Sequence, residues 1–271
     1  MQAAGTAAGE LGGRKPVDAN SRVSERCMWR LMRTLTAVAI IAVTGFTGLP
    51  AAAAAGQAAC NQLNGTVQSG NLCHVHAETP AYIIDLRWKI DYPDDQPVTD
   101  YLIQTRDKVV NAAQAPGPKY LPYQMIVTSD TFRSGQPART IPEYGQPWHG
   151  TQTLLLLNIE SLGDDKSGGR YKSFTFDFDK NRPVTFDNLF APGTNPMDSI
   201  YPAVAAELER QFVSRNFKLS PSVGRDPAHY QKFAITDQTV IFYFDVGELL
   251  PPEAGYFFAP VSRANLPPLQ V

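Results

Sequence analysis

The chain has 271 residues but only three cysteines and four histidines. It contains no CxxC, no HExxH, no GxSxG and no Gly-rich phosphate loop, so no local signature marks a zinc protease, a serine hydrolase or a nucleotide binder. The four histidines (His74, His76, His149 and His229) are scattered, and no Ser/His/Asp grouping can be read from their spacing. No basic stripe interleaved with aromatics is present. Beyond residue 56 no apolar run approaches the ~20 residues of a bilayer span. These absences predict no catalytic residues, no metal and no cofactor. They also predict neither nucleic acid nor, once a signal is removed, membrane as a partner.

The N-terminal fifth has a different composition. Residues 1–27 are rich in Ala, Gly and polar groups and cannot bury a core. They read as a disordered or over-extended start, with Met28 or Met32 as alternative first residues. Arg26, Arg30 and Arg33 then precede the apolar run Leu35 to Leu49, followed by Pro50 and the alanines Ala51 to Ala55. Basic, apolar, small is the order of a secretory signal peptide, placed here at 28–56. An uncleaved anchor is the alternative. Residues 1–56 hold six of the 24 Lys/Arg and three of the 26 Asp/Glu. The remaining 57–271 therefore carry 18 basic against 23 acidic side chains, a balance poorly suited to polyanions.

Cys27 lies before the signal. Cys60 and Cys73 are then a pair closing a short loop in an exported chain, which reads as a disulfide. Lipidation of Cys60 and a zinc site through Cys60, Cys73, His74 and His76 are the other readings. Gln57 is the wrong residue for a lipoprotein signal, and the spacing matches no zinc finger.

Alternation and helical spacing divide 57–271 into elements. Tyr82, Ile84, Leu86 and Trp88 share one face of a strand over Ala81 to Ile90. Val98, Tyr101, Leu102, Thr105, Val109 and Ala112 form a stripe that predicts a helix from Asp94 or Asp95 to Ala115. Arg106, Asp107 and Lys108 fall off it as a solvated surface. Tyr123 to Phe132 reads as a strand. Thr151 to Leu162, with Leu154-Leu155-Leu156-Leu157, reads as a strand covered on both faces. In YKSFTFDFDKNRPVTFDNLF, Phe174, Phe176 and Phe178 alternate with polar residues, which places Asp177 and Asp179 in water on a central hairpin. Asn195-Pro196 opens a second helix lined by Ile200, Val204, Leu208 and Phe212. Short strands follow at 233–235, 240–244 and 256–261. Hairpin-joined strands with two helices predict a single α+β domain over 57–271, with a mostly antiparallel sheet packed by the two helices.

Exposed aromatics on a loop suit a binding surface. Tyr144, Trp148 and His149 stand on the Pro/Gly-rich stretch from Gly135 to Gly150, and together with Arg170 they are the candidate binding residues. Asp177, Asp179, Asp187 and Glu253 are the acids available for glycoside hydrolysis, which needs two placed carboxylates.

Several segments together resemble a known family: Cys60 with Cys73, Ala81-Tyr82, Tyr92-Pro93-Asp94, Ile103-Gln104-Thr105-Arg106-Asp107-Lys108, Pro183-Val184-Thr185-Phe186-Asp187-Asn188-Leu189, Tyr230-Gln231-Lys232-Phe233-Ala234 and Gly247-Glu248-Leu249-Leu250-Pro251. The chain is similar over about residues 60–262 to the mycobacterial secreted immunogenic antigens, whose domain is shared with the extracellular part of a lysozyme-sensing anti-sigma factor. The resemblance implies a secreted, extracellular β-grasp-like α+β protein without assigned catalytic activity. One departure is plain. Where the family carries a Gly-Gly-x-His-Pro type segment, this chain has Gly168-Gly169-Arg170-Tyr171-Lys172. The expected function is a monomeric interaction module, not an enzyme, with a host or envelope protein or glycan as partner. The alternative is an envelope polysaccharide hydrolase working through Asp177, Asp179 or Glu253.

Overall fold

A computed structural model of the chain describes residues 51–117, 120–135, 149–163, 168–215 and 217–271. Five α-helical segments are present among them: α1 (Ala51–Gln62), α2 (Asp95–Gln114), α3 (Phe186–Leu189), α4 (Met197–Gln211) and α5 (Pro221–Gly224). Seven strands form one sheet in chain order: β1 (Thr66–Gln68), β2 (Leu72–Glu78), β3 (Tyr82–Lys89), β4 (Tyr123–Ser134), β5 (Thr151–Ser161), β6 (Gly168–Asp177) and β7 (Arg182–Val184). Every neighbouring pair is antiparallel except β3 and β4, which α2 links as a parallel crossover. A second sheet has β9 (Thr239–Phe244) between β8 (Phe233–Ile235) and β10 (Phe257–Ser262). The protein is thus an α+β single domain with two sheets, where one was expected.

The second sheet exists because its strands are apolar on both faces. Phe233, Ile235, Val240, Phe242, Phe244, Phe257, Ala259 and Val261 face α4, whose Met197, Ile200, Val204 and Leu208 complete a buried cluster. Ala234 and Tyr243 face the other way, onto Leu155 of the large sheet, with Phe132, Tyr171 and Ile241 around them. On the far face of the large sheet, Val98, Leu102 and Val109 of α2 pack on Ile84, Leu86, Trp88, Leu154 and Leu156. This places the sheets back to back with a helix on each outer face. It also explains why β5 is covered on both sides, as its continuous apolar run predicts.

The same arrangement corrects the reading of Phe174 to Asp177, whereas Asp179 is exposed as expected. Phe174 and Phe176 do join the α2 core, with the Phe174 ring against Tyr101 and Tyr92. Their polar neighbours meet the second sheet instead of water: the Phe233 N–H donates to Ser173 Oγ at 3.0 Å. Asp177 has no exposed surface. Its Oδ1 accepts the backbone N–H groups of Asp179 and Lys180 at 3.0 and 3.1 Å, which holds the turn into β7. Asn181 completes that turn at φ 49°. The β6–β7 hairpin is also not central: β7 is an edge strand, and the middle of the sheet is β4.

Helix α1 runs across residue 56, the expected end of the signal segment. Gly56 is packed so closely that a Cβ there would stand 2.1 Å from the Ile90 carbonyl oxygen. The expected extension over 1–27 and most of the 28–56 segment lie outside the described residues. Cys60 and Cys73 are bonded to each other, with Cα atoms 5.7 Å apart, tying α1 to β2 inside the α2 core. The bond takes both sulfurs from any zinc set and Cys60 from any thioether. Gly65 lies over it, and a Cβ there would be 2.6 Å from Cys73 Sγ and 2.8 Å from Cys60 Sγ.

Candidate functional site

Two regions of the fold concentrate polar chemistry, one at each end of the β5–β6 pair. The first is a cleft of about 500 Å³ between α2, the β5 end and the β6 start. It is built by the alternation of β5. Asn158 and Glu160 continue the row of Leu154 and Leu156, so the pleat carries an amide and a carboxylate onto the α2 side, where both are buried. Asn158 Nδ2 donates to Glu160 Oε1 at 2.7 Å, and Lys108 Nζ of α2 lies 3.3 Å from Glu160 Oε2. Asn158 Oδ1 has no hydrogen-bond partner among the described residues, which for a buried acceptor costs about 1–3 kcal/mol unless a ligand or water supplies a donor. Arg170, Tyr171, Tyr101 and Asp245 line the rest. Asp245 Oδ1 accepts the Tyr171 N–H at 2.7 Å. Burial pushes the Tyr171 phenol up to about 12, with Tyr256, Asp130 and Asp245 adding to it. Burial likewise raises Tyr101.

The second region lies where β4 ends, β5 begins and β6 ends. His149 Nδ1 stands 2.7 Å from Asp179 Oδ1, and the Gly150 N–H donates to Asp179 Oδ2 at 2.9 Å. The hydrogen bonds from His149 and then from Gly150 hold the Asp179 carboxyl below its ordinary value. An ionised carboxylate only accepts, so His149 Nδ1 is the donor of this bond. A carboxylate held against an imidazole in this way is an arrangement that can orient the ring as a base.

The expected binding residues are divided between these places. Arg170 lines the cleft and His149 sits in the second region. Their strands pair with Thr151 opposite Asp177 and Asn158 opposite Arg170, a separation of roughly 23 Å along the sheet. Tyr144 and Trp148 lie outside the described residues, as do 164–167 of the loop leading to Arg170. Of the candidate acids, Asp187 and Glu253 are exposed on α3 and on a 3-10 turn over Pro252–Ala254. Asp177 is the turn-holding acceptor described above. Lys108 is exposed, as expected of a solvated surface, and its Nζ also reaches the buried carboxylate of Glu160. Asn158 and Glu160 are polar residues outside the predicted site, and their even positions after Leu154 and Leu156 are the signal that they point inward.

Two family segments meet in space beside the cleft. Lys232 Nζ lies 2.6 Å from Glu248 Oε2 and 3.0 Å from Asp245 Oδ2, and Glu248 Oε2 also accepts the Asp245 N–H at 2.8 Å. This network fixes the carboxylate that borders Tyr171.

Comparison with known proteins gives the following. The family described as protein of unknown function DUF3298 matches residues 187–264. The chain is 45% identical over 240 residues to a Mycobacterium tuberculosis protein named esterase Rv3036c, covering 89% of this chain and 100% of that one. It is 34% identical over 226 residues to the immunogenic protein MPB64 of Mycobacterium bovis and to the immunogenic protein MPT64 of Mycobacterium tuberculosis, covering 83% of this chain and 92% of each. Among solved structures, a DUF3298 family protein of Pseudomonas aeruginosa aligns with a TM-score of 0.46 at 10% identity, over 75% of this chain and 94% of that one. The chain belongs to the MPT64/MPB64 immunogenic protein family, and it carries that family's DUF3298 domain.

Proposed function

We propose that this chain is an exported, monomeric esterase, with the His149–Asp179 pair as its base. The observation that carries the reading is the 45% identity along the whole length of a protein named an esterase. The expectation of a non-enzymatic module rests on missing local motifs, and a base oriented across 30 residues of chain leaves no such motif. In the proposed reaction water adds to the ester carbonyl and its proton passes to the His149 ring. The imidazolium, stabilised by Asp179, returns the proton to the departing alkoxide, giving an acid and an alcohol. Likeness to the immunogenic proteins and the basic, apolar, small order of residues 26–55 support export. The helix crossing between parallel β3 and β4 supports the β-grasp-like description. The exported form should hydrolyse p-nitrophenyl esters with saturable kinetics. No turnover above the uncatalysed rate, for acyl chains from acetate to decanoate, overturns the reading.

A second reading is favoured by one observation, the buried Asn158 Oδ1 that meets no donor among the described residues, in a cleft bordered by Lys108 and Arg170. Here the chain is a non-catalytic module that takes a sugar hydroxyl or peptide N–H on that oxygen. Titration with N-acetylglucosamine oligomers should shift the Asn158 side-chain amide resonances. No shift at millimolar sugar removes the glycan version.

A further inference from the structure

We propose that His74, His76 and Asp85 form a zinc site on the open face of the β2–β3 pair. His74 and His76 are two apart on β2, so both rings leave the same face, opposite to Cys73 and Val75 in the α2 core. Antiparallel pairing sets Asp85 of β3 directly across from His76. The three side chains offer donor atoms that all lie within 4.8 Å of one another. His74 Nε2 and His76 Nδ1 each stand 3.4 Å from the same atom, Asp85 Oδ2. That distance is long for a hydrogen bond. It does fit the ligand-to-ligand edge of a tetrahedral ion with bonds of about 2.0–2.1 Å, which is about 3.3 Å.

The surroundings suit metal ligands. Gln68 Nε2 is 3.1 Å from His74 Nδ1, the nitrogen turned away from Asp85. With the amide rotated, its oxygen accepts the Nδ1–H that a ring bound through Nε2 must carry. Glu78 Oε2 is 3.8 Å from His76 Nε2, in the position of a carboxylate behind a bound histidine. Arg87 Nε holds Asp85 Oδ1 at 3.0 Å, and its Nη2 touches Oδ2 at 3.2 Å. An ion displaces the second contact and leaves the first, which then orients the carboxylate. Two imidazoles and one carboxylate suit zinc among divalent ions and leave a fourth position for water. This set uses neither cysteine and is separate from the His149–Asp179 pair.

Zinc ion alone, titrated into the exported form, should bind at one equivalent. The ring resonances of His74 and His76 should shift, with those of His149 and His229 unmoved. His74→Gln and His76→Gln should each weaken binding at least about tenfold, and His229→Gln should leave it unchanged. The absence of saturable binding overturns the site, as does binding that persists in the His74→Gln/His76→Gln double variant. Zinc-induced shifts at His149 or His229 in the unsubstituted chain overturn it without relying on any variant.

Discussion

Asp177 Oδ1 accepts the backbone N–H of Asp179 at 3.0 Å. The two carboxylates, two residues apart, thereby occupy opposite environments. The first is fully buried and serves the turn. The second is half-exposed and holds His149.

The division of labour predicts different penalties. Asp177→Ala removes the acceptor of two backbone N–H groups in a buried position and should cost about 1–3 kcal/mol in denaturant unfolding. Asp177→Asn keeps an oxygen acceptor in place and should cost less, with ester hydrolysis retained. Equal losses of stability from the two would contradict the turn-holding role.

Asp179 should titrate below its ordinary 3.8, and His149→Ala should move it upward, because the largest contribution to its shift is the hydrogen bond from His149. The sign for stability follows from a depressed folded value. The contribution is present above the unfolded value near 3.8 and is lost as pH falls through the lower folded value. Carbonyl-detected NMR titration of both forms reads the shift. An unchanged midpoint in His149→Ala would contradict it.

Cys60–Cys73 closes a loop 13 residues long, for which the chain-entropy account gives about 3 kcal/mol. Cys60→Ser/Cys73→Ser should lower stability by about that amount. Gly65→Ala, which drives a Cβ into both sulfurs, should cost about 1–3 kcal/mol with the bond present. The penalty should shrink in Cys60→Ala/Cys73→Ala, since residues in contact do not act additively. A Gly65→Ala penalty that is the same in both backgrounds would show that the sulfurs are not what the methyl meets.

The fold was legible where one period dominates. The α2 stripe and the alternation of β3 each fall within about one residue of their observed bounds, because apolar spacing reports the face that a single neighbour covers. The four-leucine run likewise announces a strand covered twice. Strands β1 and β2 were not read, since LCHVHAE carries only two buried positions and its polar face holds histidines. The back-to-back sheets were hidden because Ser173, Thr175 and Asp177 look like a wet face. Their partners, Phe233 and its neighbours, lie some 60 residues on. The site was hardest. His149 meets Asp179 through the closure of β5 on β6, and His74 meets Asp85 through the register of β2 on β3. Neither pairing leaves a spacing to find in one dimension. Asn158 and Glu160 were findable, because they sit in the leucine row.

His149, held by Asp179, is the base of the proposed ester-hydrolysing centre. The direct measurement is kcat on p-nitrophenyl butyrate for the unsubstituted chain, His149→Ala, Asp179→Asn and Asp177→Asn. Loss of a general base predicts a fall in kcat of about 10²–10⁴-fold for His149→Ala. Asp179→Asn should show a smaller fall, and Asp177→Asn should be near the unsubstituted rate. Hydrolysis by the unsubstituted chain that persists undiminished in His149→Ala would contradict the account.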